Sequence, residues 1–431
     1  MRALTLRAVL FALTADLIPY YALYALLFAD HGLSTAQISA LLAIWSVTSF
    51  LLEVPSGAWA DTVSRRGLLM LSGVLLTAGF LVWTLLPSYA GFAAGFILWG
   101  AAGALRSGTF EALIYDDLAA RASTAAYPRL LGYTRAAAES AALTGILAAA
   151  PLYAWGGYAL VGWSSVLLAG VHVLSAIALP GAPKVVSASA VEDLEDEPDT
   201  ASPPVGLTST PAGVSRYVHM LRSGLRESLH VRVVRRGVIL VALLNGITAF
   251  DEYFSLLADH TGVSPSISAV LVGVTVAGAL TGAALAGHTE NVSARAFSIA
   301  LGIAGVLFIG GALLCGAATS HPTLVYSLTA AGFTGIAIAY GIDYNADVLA
   351  SARLQDAIAG PARATVTSVS GLVTEVIALI VFIFVGVAAA WLPIPALVAA
   401  LGTPLLLIAV LLPTWLPKAA EEESLKQPTA E

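Results

Sequence analysis

Setting aside the terminal turns, ten ionisable side chains stand inside apolar stretches. Asp16, Glu53, Arg106, Glu111, Arg135 and Glu139 lie in the first part of the chain, and Asp251, Glu252, Asp343 and Glu375 in the second. Placing such a group in hydrocarbon costs roughly 2.5–3.5 kcal/mol on insertion scales, so each is a candidate for work on protons, ions or polar ligands. Eight are carboxylates and two are guanidiniums. A chamber with that excess favours protons and cationic groups over phosphate esters or other strong anions. Asp16 is the first candidate for proton binding. Tyr20 and Tyr24 follow at i+4 and i+8, so one helix face would present a carboxylate and two phenols. Pro19 removes a backbone donor beside it and predicts a kink. Arg135 and Glu139 are one turn apart and can neutralise each other within a helix. Glu53 and Glu111 lie nearer one end, where they either brace a gate or touch a substrate. Asn245, Thr248 and Glu252 share a stripe, with Asp251 and Tyr253 beside it, while Tyr340, Asp343, Tyr344 and Asn345 crowd another segment. With Tyr115 and Glu375 these are candidates to line a cavity. Aromatic faces mixed with carboxylates suit an amphipathic organic cation, although hydrogen bonding between helices accounts for the tyrosines equally well.

The elements that carry these groups must be membrane helices. The 431 residues are 58% hydrophobic and 11% charged, with mean hydropathy +0.86. No alternating pattern suggests a barrel, and lipid admits only helices or closed barrels. Apolar runs predict twelve spans, near 7–28, 36–60, 67–87, 91–118, 128–152 and 157–180, then near 237–257, 266–288, 296–318, 323–350, 362–391 and 394–416. The first run carries Asp16 and Pro19 and lacks a small-residue cleavage site, so it reads as a retained helix and not a signal peptide. Cys315 is the single cysteine, which excludes an intramolecular disulfide framework.

Charge placement predicts orientation. With the N-terminus inside, the Lys and Arg outside the spans fall on the cytoplasmic side: Arg2, Arg65, Arg66, Arg121, Lys184, the cluster Arg216 to Arg236, Arg353, Lys418 and Lys426. The external turns contain none, as the positive-inside rule requires. The chain then divides into a bundle at 1–181, a cytoplasmic linker at 182–236, a second bundle at 237–418 and a tail at 419–431. The linker starts with a dense acidic run, Val191 to Thr200, that reads as disordered. Its last part, about 214–236, reads as an amphipathic helix lying on an anionic inner leaflet, with Tyr217, Leu221 and Leu225 on one side and Arg222 and Arg226 elsewhere.

An internal repeat links the two bundles. Ala29-Asp30-His31 with Ile38-Ser39 returns as Ala258-Asp259-His260 with Ile267-Ser268, at an offset of 229. In the same register Asp16 falls on Asn245, Asp61 on Glu290, and Tyr115-Asp116 on Tyr344-Asn345.

The loop Gly57 to Arg66 reads G-A-W-A-D-T-V-S-R-R and resembles the signature G-x-x-x-D-[RK]-x-G-[RK]-[RK] of the major facilitator superfamily. Gly57, Asp61, Arg65 and Arg66 match it, while Thr62 and Ser64 replace a basic residue and a glycine. The resemblance implies an all-α membrane protein of twelve transmembrane helices in two pseudo-symmetric six-helix bundles. It further implies that the four matching loop residues latch one transport conformation. Helices 1, 4, 7 and 10 line the cavity in that family, which would bring Asp16 within reach of Arg106, at similar depth. That pair then either couples protons or serves as a fixed structural bridge. The wording L-E-V-P-S-G, R-S-G-T-F-E-A-L-I-Y-D and R-A-T-V-T-S is similar to a drug-efflux branch of the family. The activity expected on that resemblance is proton-coupled export of a small amphipathic neutral or cationic compound, by a monomer in a bacterial-type inner (plasma) membrane with both termini cytoplasmic. The stretch Arg135 to Pro151 lacks the G-x-x-x-G-P-x-x-G-G pattern common in helix 5 of such exporters. Proton-coupled uptake of a nutrient therefore stays open, as does a non-transporting receptor on the same fold. No phosphate-binding G-x-x-x-x-G-K-[ST] loop is present, the seven histidines have no metal-ligand spacing, and no basic, aromatic-interleaved surface suggests nucleic acid. No metal, cofactor or enzymatic activity is expected.

Overall fold

The computed structural model of the protein describes residues 2–181, 183–184, 231–358 and 363–417. The acidic run, most of the expected amphipathic helix (214–230) and the tail from 418 lie outside these residues. The described residues contain helices and no strand. In chain order the helices are α1 (Arg2–Asp16), α2 (Tyr24–Asp30), α3 (Thr35–Thr62), α4 (Arg65–Leu85), α5 (Tyr89–Arg106), α6 (Thr109–Ala120) and α7 (Tyr127–Ile177). They continue with α8 (Arg232–Ile247), α9 (Phe254–His260), α10 (Pro265–Ala284), α11 (Ala286–Thr289), α12 (Ala294–Ala318), α13 (Val325–Ala357), α14 (Arg363–Ala388), α15 (Ile394–Leu401) and α16 (Thr403–Trp415).

Ten helical stretches among the described residues are long and apolar enough to cross a membrane. Two places separate this number from the expected twelve. Thr124–Ile177 runs as one stretch, although Gly156 and Gly157 inside α7 have non-helical backbone angles. The segment from Tyr89 to Ala120 is cut at Gly108, whose φ of +65° suits glycine. Apolar side chains such as Leu167, Ile299 and Val410 point outward, which only a lipid surround accommodates.

Local chemistry explains the helix ends. Ser34 caps α3 in a reciprocal box with Gln37, and Ser64, Ser88 and Ser293 cap α4, α5 and α12 through the backbone N–H three residues on. After Asp16 the first span breaks. Pro19 biases Ile18 to an extended conformation (φ −120°, ψ 108°), and Pro19–Ala22 forms a 3₁₀ turn before α2 resumes. The Tyr20 N–H at the break donates to Ser165 Oγ of α7 at 3.0 Å, and Gly145 lets α7 approach the Ile18 backbone. The repeat reappears here, because Thr248–Tyr253 is also a 3₁₀ turn and begins 229 residues after Pro19.

The chain forms two compact units. One comprises Met1–Thr208, Glu252–Gly273 and Phe382–Leu392; the other comprises Ser209–Asp251, Val274–Val381 and Pro393–Glu431. In the first, the segment Glu252–Gly273 joins through polar contacts: Tyr253 Oη lies 2.9 Å from Ser39 Oγ, and Ser266 Oγ donates to the Ala150 carbonyl at 2.9 Å. Its core is aromatic, with Tyr20, Tyr24, Phe28, Phe80, Trp83 and Phe96 enclosed together. In the second unit the helices meet at backbone distance. A Cβ added at Gly282 of α10 would run into the Gly341 carbonyl of α13, and one added at Gly332 of α13 would meet the Gly311 carbonyl of α12.

Candidate functional site

The break in the first span sets the geometry of Asp16. Its Oδ2 accepts from Arg106 Nη1 of α5 at 3.3 Å, with 23% of the Asp16 and 38% of the Arg106 side chain exposed. Both groups thus keep some accessible surface. A small cleft beside the pair is lined by Tyr21, Ser72, Leu76, Trp99, Gly103 and His172, with Arg106 itself on its wall. Tyr21 lies flat on Trp99, with centroids 5.3 Å apart and planes 9° apart.

The expected face of Asp16, Tyr20 and Tyr24 does not form. Tyr20 and Tyr24 are buried in the aromatic core, and the Tyr20 hydroxyl pairs with Thr84 Oγ1 at 3.0 Å. The 3₁₀ turn has three residues per turn instead of 3.6, so the i+4 register is lost at Pro19 and Tyr21 takes the place beside Asp16. Arg135 and Glu139 lie on an exposed side of α7, where Glu139 interacts electrostatically with Asp16. Glu111, in the first turn of α6, adds its charge to the surroundings of Arg106. Glu53 accepts a hydrogen bond from Ser107 Oγ at 2.7 Å, bracing α3 against the α5–α6 break. Tyr115 packs edge-on against Tyr127 in an apolar core.

In the second unit, the Tyr340 hydroxyl donates to Asp251 Oδ2 at 2.7 Å. Tyr344 stands edge-on to Tyr340 with centroids 4.9 Å apart. Asp343 is wholly enclosed on the same helix. Asn245 of α8 hydrogen-bonds Asp347, one turn beyond Asp343. Asn345 accepts from Thr289 Oγ1 at 2.9 Å and donates to the Gly282 carbonyl at 2.8 Å, which makes it a clamp between helices. Glu252 belongs to the first unit, beside Tyr253, whose hydroxyl is turned to Ser39. Glu375 is half-buried on α14.

The loop from Gly57 to Arg66 closes around Arg65. That guanidinium is 4% exposed and reaches Asp116 Oδ2 of α6 at 2.6 Å, Asp61 Oδ1 at 3.3 Å and the Ala60 carbonyl at 3.3 Å. Ser64, where the loop signature has glycine, is the N-cap of α4. Arg66 is exposed, and a Cβ added at Gly57 would meet nothing within 4 Å. Lys184 stands close by, its pKa lowered by burial and by Arg65.

Four groups escape a reading by composition and spacing. Tyr21 depends on the 3₁₀ register. His172 is buried, with Nδ1 3.1 Å from Thr14 Oγ1 and its ring against Phe11, and a lone histidine in an apolar span gives no partner in sequence. Asp116 pairs with Arg65 across 51 positions; its one signal is the Tyr-Asp step that recurs as Tyr344-Asn345. Asp347 carries an i+4 relation to Asp343 that marks a shared helix face.

A helical, lipid-facing chain with broken spans and paired charges inside defines a multi-pass membrane transporter. The profile of the Major Facilitator Superfamily matches residues 6–347, and the chain belongs to that superfamily, whose members are transporters. No curated protein sequence matches it. Among solved structures, a D-xylose-proton symporter is similar at TM-score 0.64 and 16% identity, over 96% of this chain and 98% of that one. A bacterial homolog of the human lysosomal transporter Spinster, in an inward-facing and unoccupied conformation, is similar at TM-score 0.63 and 16% identity, over 95% and 93%. The POT family transporter PepTSo is similar at TM-score 0.65 and 10% identity, over 98% and 99%. These likenesses establish the fold.

Proposed function

We propose that the chain is a proton-coupled secondary transporter that exports small amphipathic neutral or cationic compounds by alternating access, in the manner of drug:proton antiporters. The observation that carries this reading is the Asp16–Arg106 pair, held at 3.3 Å beside a broken span and partly accessible. Protonation of Asp16 removes its charge, frees Arg106 and releases the groups around the break. A cationic compound competes for the same carboxylate, and the stacked Tyr21 and Trp99 offer its apolar part a flat aromatic face. The reading places the protein in a bacterial-type inner membrane as a monomer, with the Arg65 loop and both termini in the cytoplasm, as the distribution of Lys and Arg supports.

Inside-out vesicles carrying the protein should accumulate a lipophilic cation when their lumen is made acidic, and Asp16→Asn should lose that accumulation while still inserting in the membrane. Accumulation that Asp16→Asn leaves unchanged would refute the assignment of Asp16. The missing glycine–proline pattern between Arg135 and Pro151 favours uptake as a second reading. Transport of a neutral nutrient down an inward proton gradient, with no export across a broad panel of cations, would establish it.

A further inference from the structure

A second carboxyl pair, on α13, is built differently from Asp16 and Arg106. Asp343 has no exposed surface, and neither of its oxygens has a hydrogen-bond partner. Asp347 lies one turn further along α13, partly exposed, with one oxygen without a partner and a hydrogen bond from Asn245. An ionised carboxylate enclosed without a partner is heavily penalised unless a cation compensates it. Among the described residues, no cation contacts Asp343. α10 and α16 carry no ionisable side chain, and α12 carries only Arg295 in its first turn and the thiol Cys315. α8 holds Arg232, Arg235 and Arg236 at the end remote from Asn245, α11 holds His288, α14 starts at Arg363 and holds Glu375, and α13 itself carries Arg353 and Asp356 beyond Asp347. On the same face of α13, Tyr340 is committed to Asp251 and to the ring of Tyr344. The charged group that acts on Asp343 is Asp347, another carboxylate. Such surroundings favour the neutral carboxyl form of Asp343.

We propose that Asp343 is a second proton-carrying residue of the transport cycle, loaded when enclosed and discharged through Asp347. When α13 shifts against its neighbours, the O–H bond on Asp343 breaks as one forms on a carboxylate oxygen of Asp347, which releases the proton to water. Asp343, left ionised, takes up the next proton before it is enclosed again. Neither residue has an acidic counterpart in the first half, where the positions 229 earlier are Ile114 and Leu118, so this carrier is not a copy of Asp16. The assignment rests on the proton-coupled reading but concerns a different residue and a different readout.

Infrared difference spectra of the purified protein near neutral pH test the protonation state without transport. A carboxylic-acid C=O band should be present in the wild type, vanish in Asp343→Asn and persist in both Asp16→Asn and Asp347→Asn. A band that Asp343→Asn leaves intact would overturn the proposal. In proteoliposomes, the ratio of protons to substrate should fall by one in Asp343→Asn, and Asp347→Asn should slow proton release by about a hundredfold, the usual worth of a positioned acid or base. Proton flux with an unchanged ratio in Asp343→Asn would sink this assignment alone. Absence of any proton flux in the wild type would sink the coupled reading itself.

Discussion

In the first half, Asp61, Arg65 and Asp116 tie the loop after α3 to α6 with charges, at 3.3 and 2.6 Å. The positions 229 residues later are Glu290, Ala294 and Asn345, and there Asn345 stands in place of the buried carboxylate. Thr289 donates to the Asn345 side chain, Asn345 donates to the Gly282 carbonyl, and Arg353 donates to the carbonyls of Glu290 and Val292. The spans differ in the same sense. Asp16 with Arg106 has Asn245 with Gly335 as its counterpart, and the ion pairs Asp16–Arg106, Asp61–Arg65, Arg65–Asp116 and Asp117–Arg121 belong to the first half. A buried ion pair costs about 3–5 kcal/mol to break from one side, whereas a neutral hydrogen bond contributes about 1 kcal/mol net. One half is thus fastened by contacts that a change of charge releases, and the other by contacts that give way readily and ignore charge.

Removing the guanidinium breaks this comparison most directly. Arg65→Ala leaves Asp116 buried without its partner and should destabilise the protein by about 3–5 kcal/mol, read as a fall in the thermal midpoint in detergent. Adding Asp116→Asn should recover part of the loss, and equal losses for Arg65→Ala and Asn345→Ala would show that charge is not what distinguishes the junctions. Putting the first half's chemistry into the second is the next test. Asn345→Asp should cost about 1–3 kcal/mol at neutral pH, because a carboxylate enters a site built from neutral groups, and Ala294→Arg in the same chain should restore it. Asn345→Ala is expected to cost about 1–3 kcal/mol, the penalty for leaving the Thr289 hydroxyl and the Gly282 carbonyl unsatisfied. Gly57→Ala should do least and in the opposite direction, raising stability by up to about 1 kcal/mol, since it sits in α3 with open space around it. A loss of transport in that variant would mean that Gly57 serves a conformation other than this one.

The charge pattern was legible because ionisable residues are scarce in an apolar chain, and the family resemblance that sets helices 1 and 4 around one cavity, with their similar depth, indicated Arg106 for Asp16. The loop was legible because its spacing is short and local. Tyr21 was not, since one proline changes the turn from 3.6 to three residues and rotates all that follows. Asp116 and His172 were hidden for another reason: their partners, Arg65 and Thr14, are brought to them only by the fold. The number of spans was blurred where glycine governs continuity, at Gly108 and at Gly156–Gly157.

The glycine contacts of α13 have a mechanical consequence. At Gly341 against Gly282, and at Gly332 against Gly311, backbone meets backbone, with the side chains of Asn345, Ile336 and Cys315 set beside these points. A helix seated on backbone at such points has fewer side chains to repack when it shifts than helices geared by leucines along their whole length. The rod that holds Asp343 in the dark therefore rides in part on bare backbone.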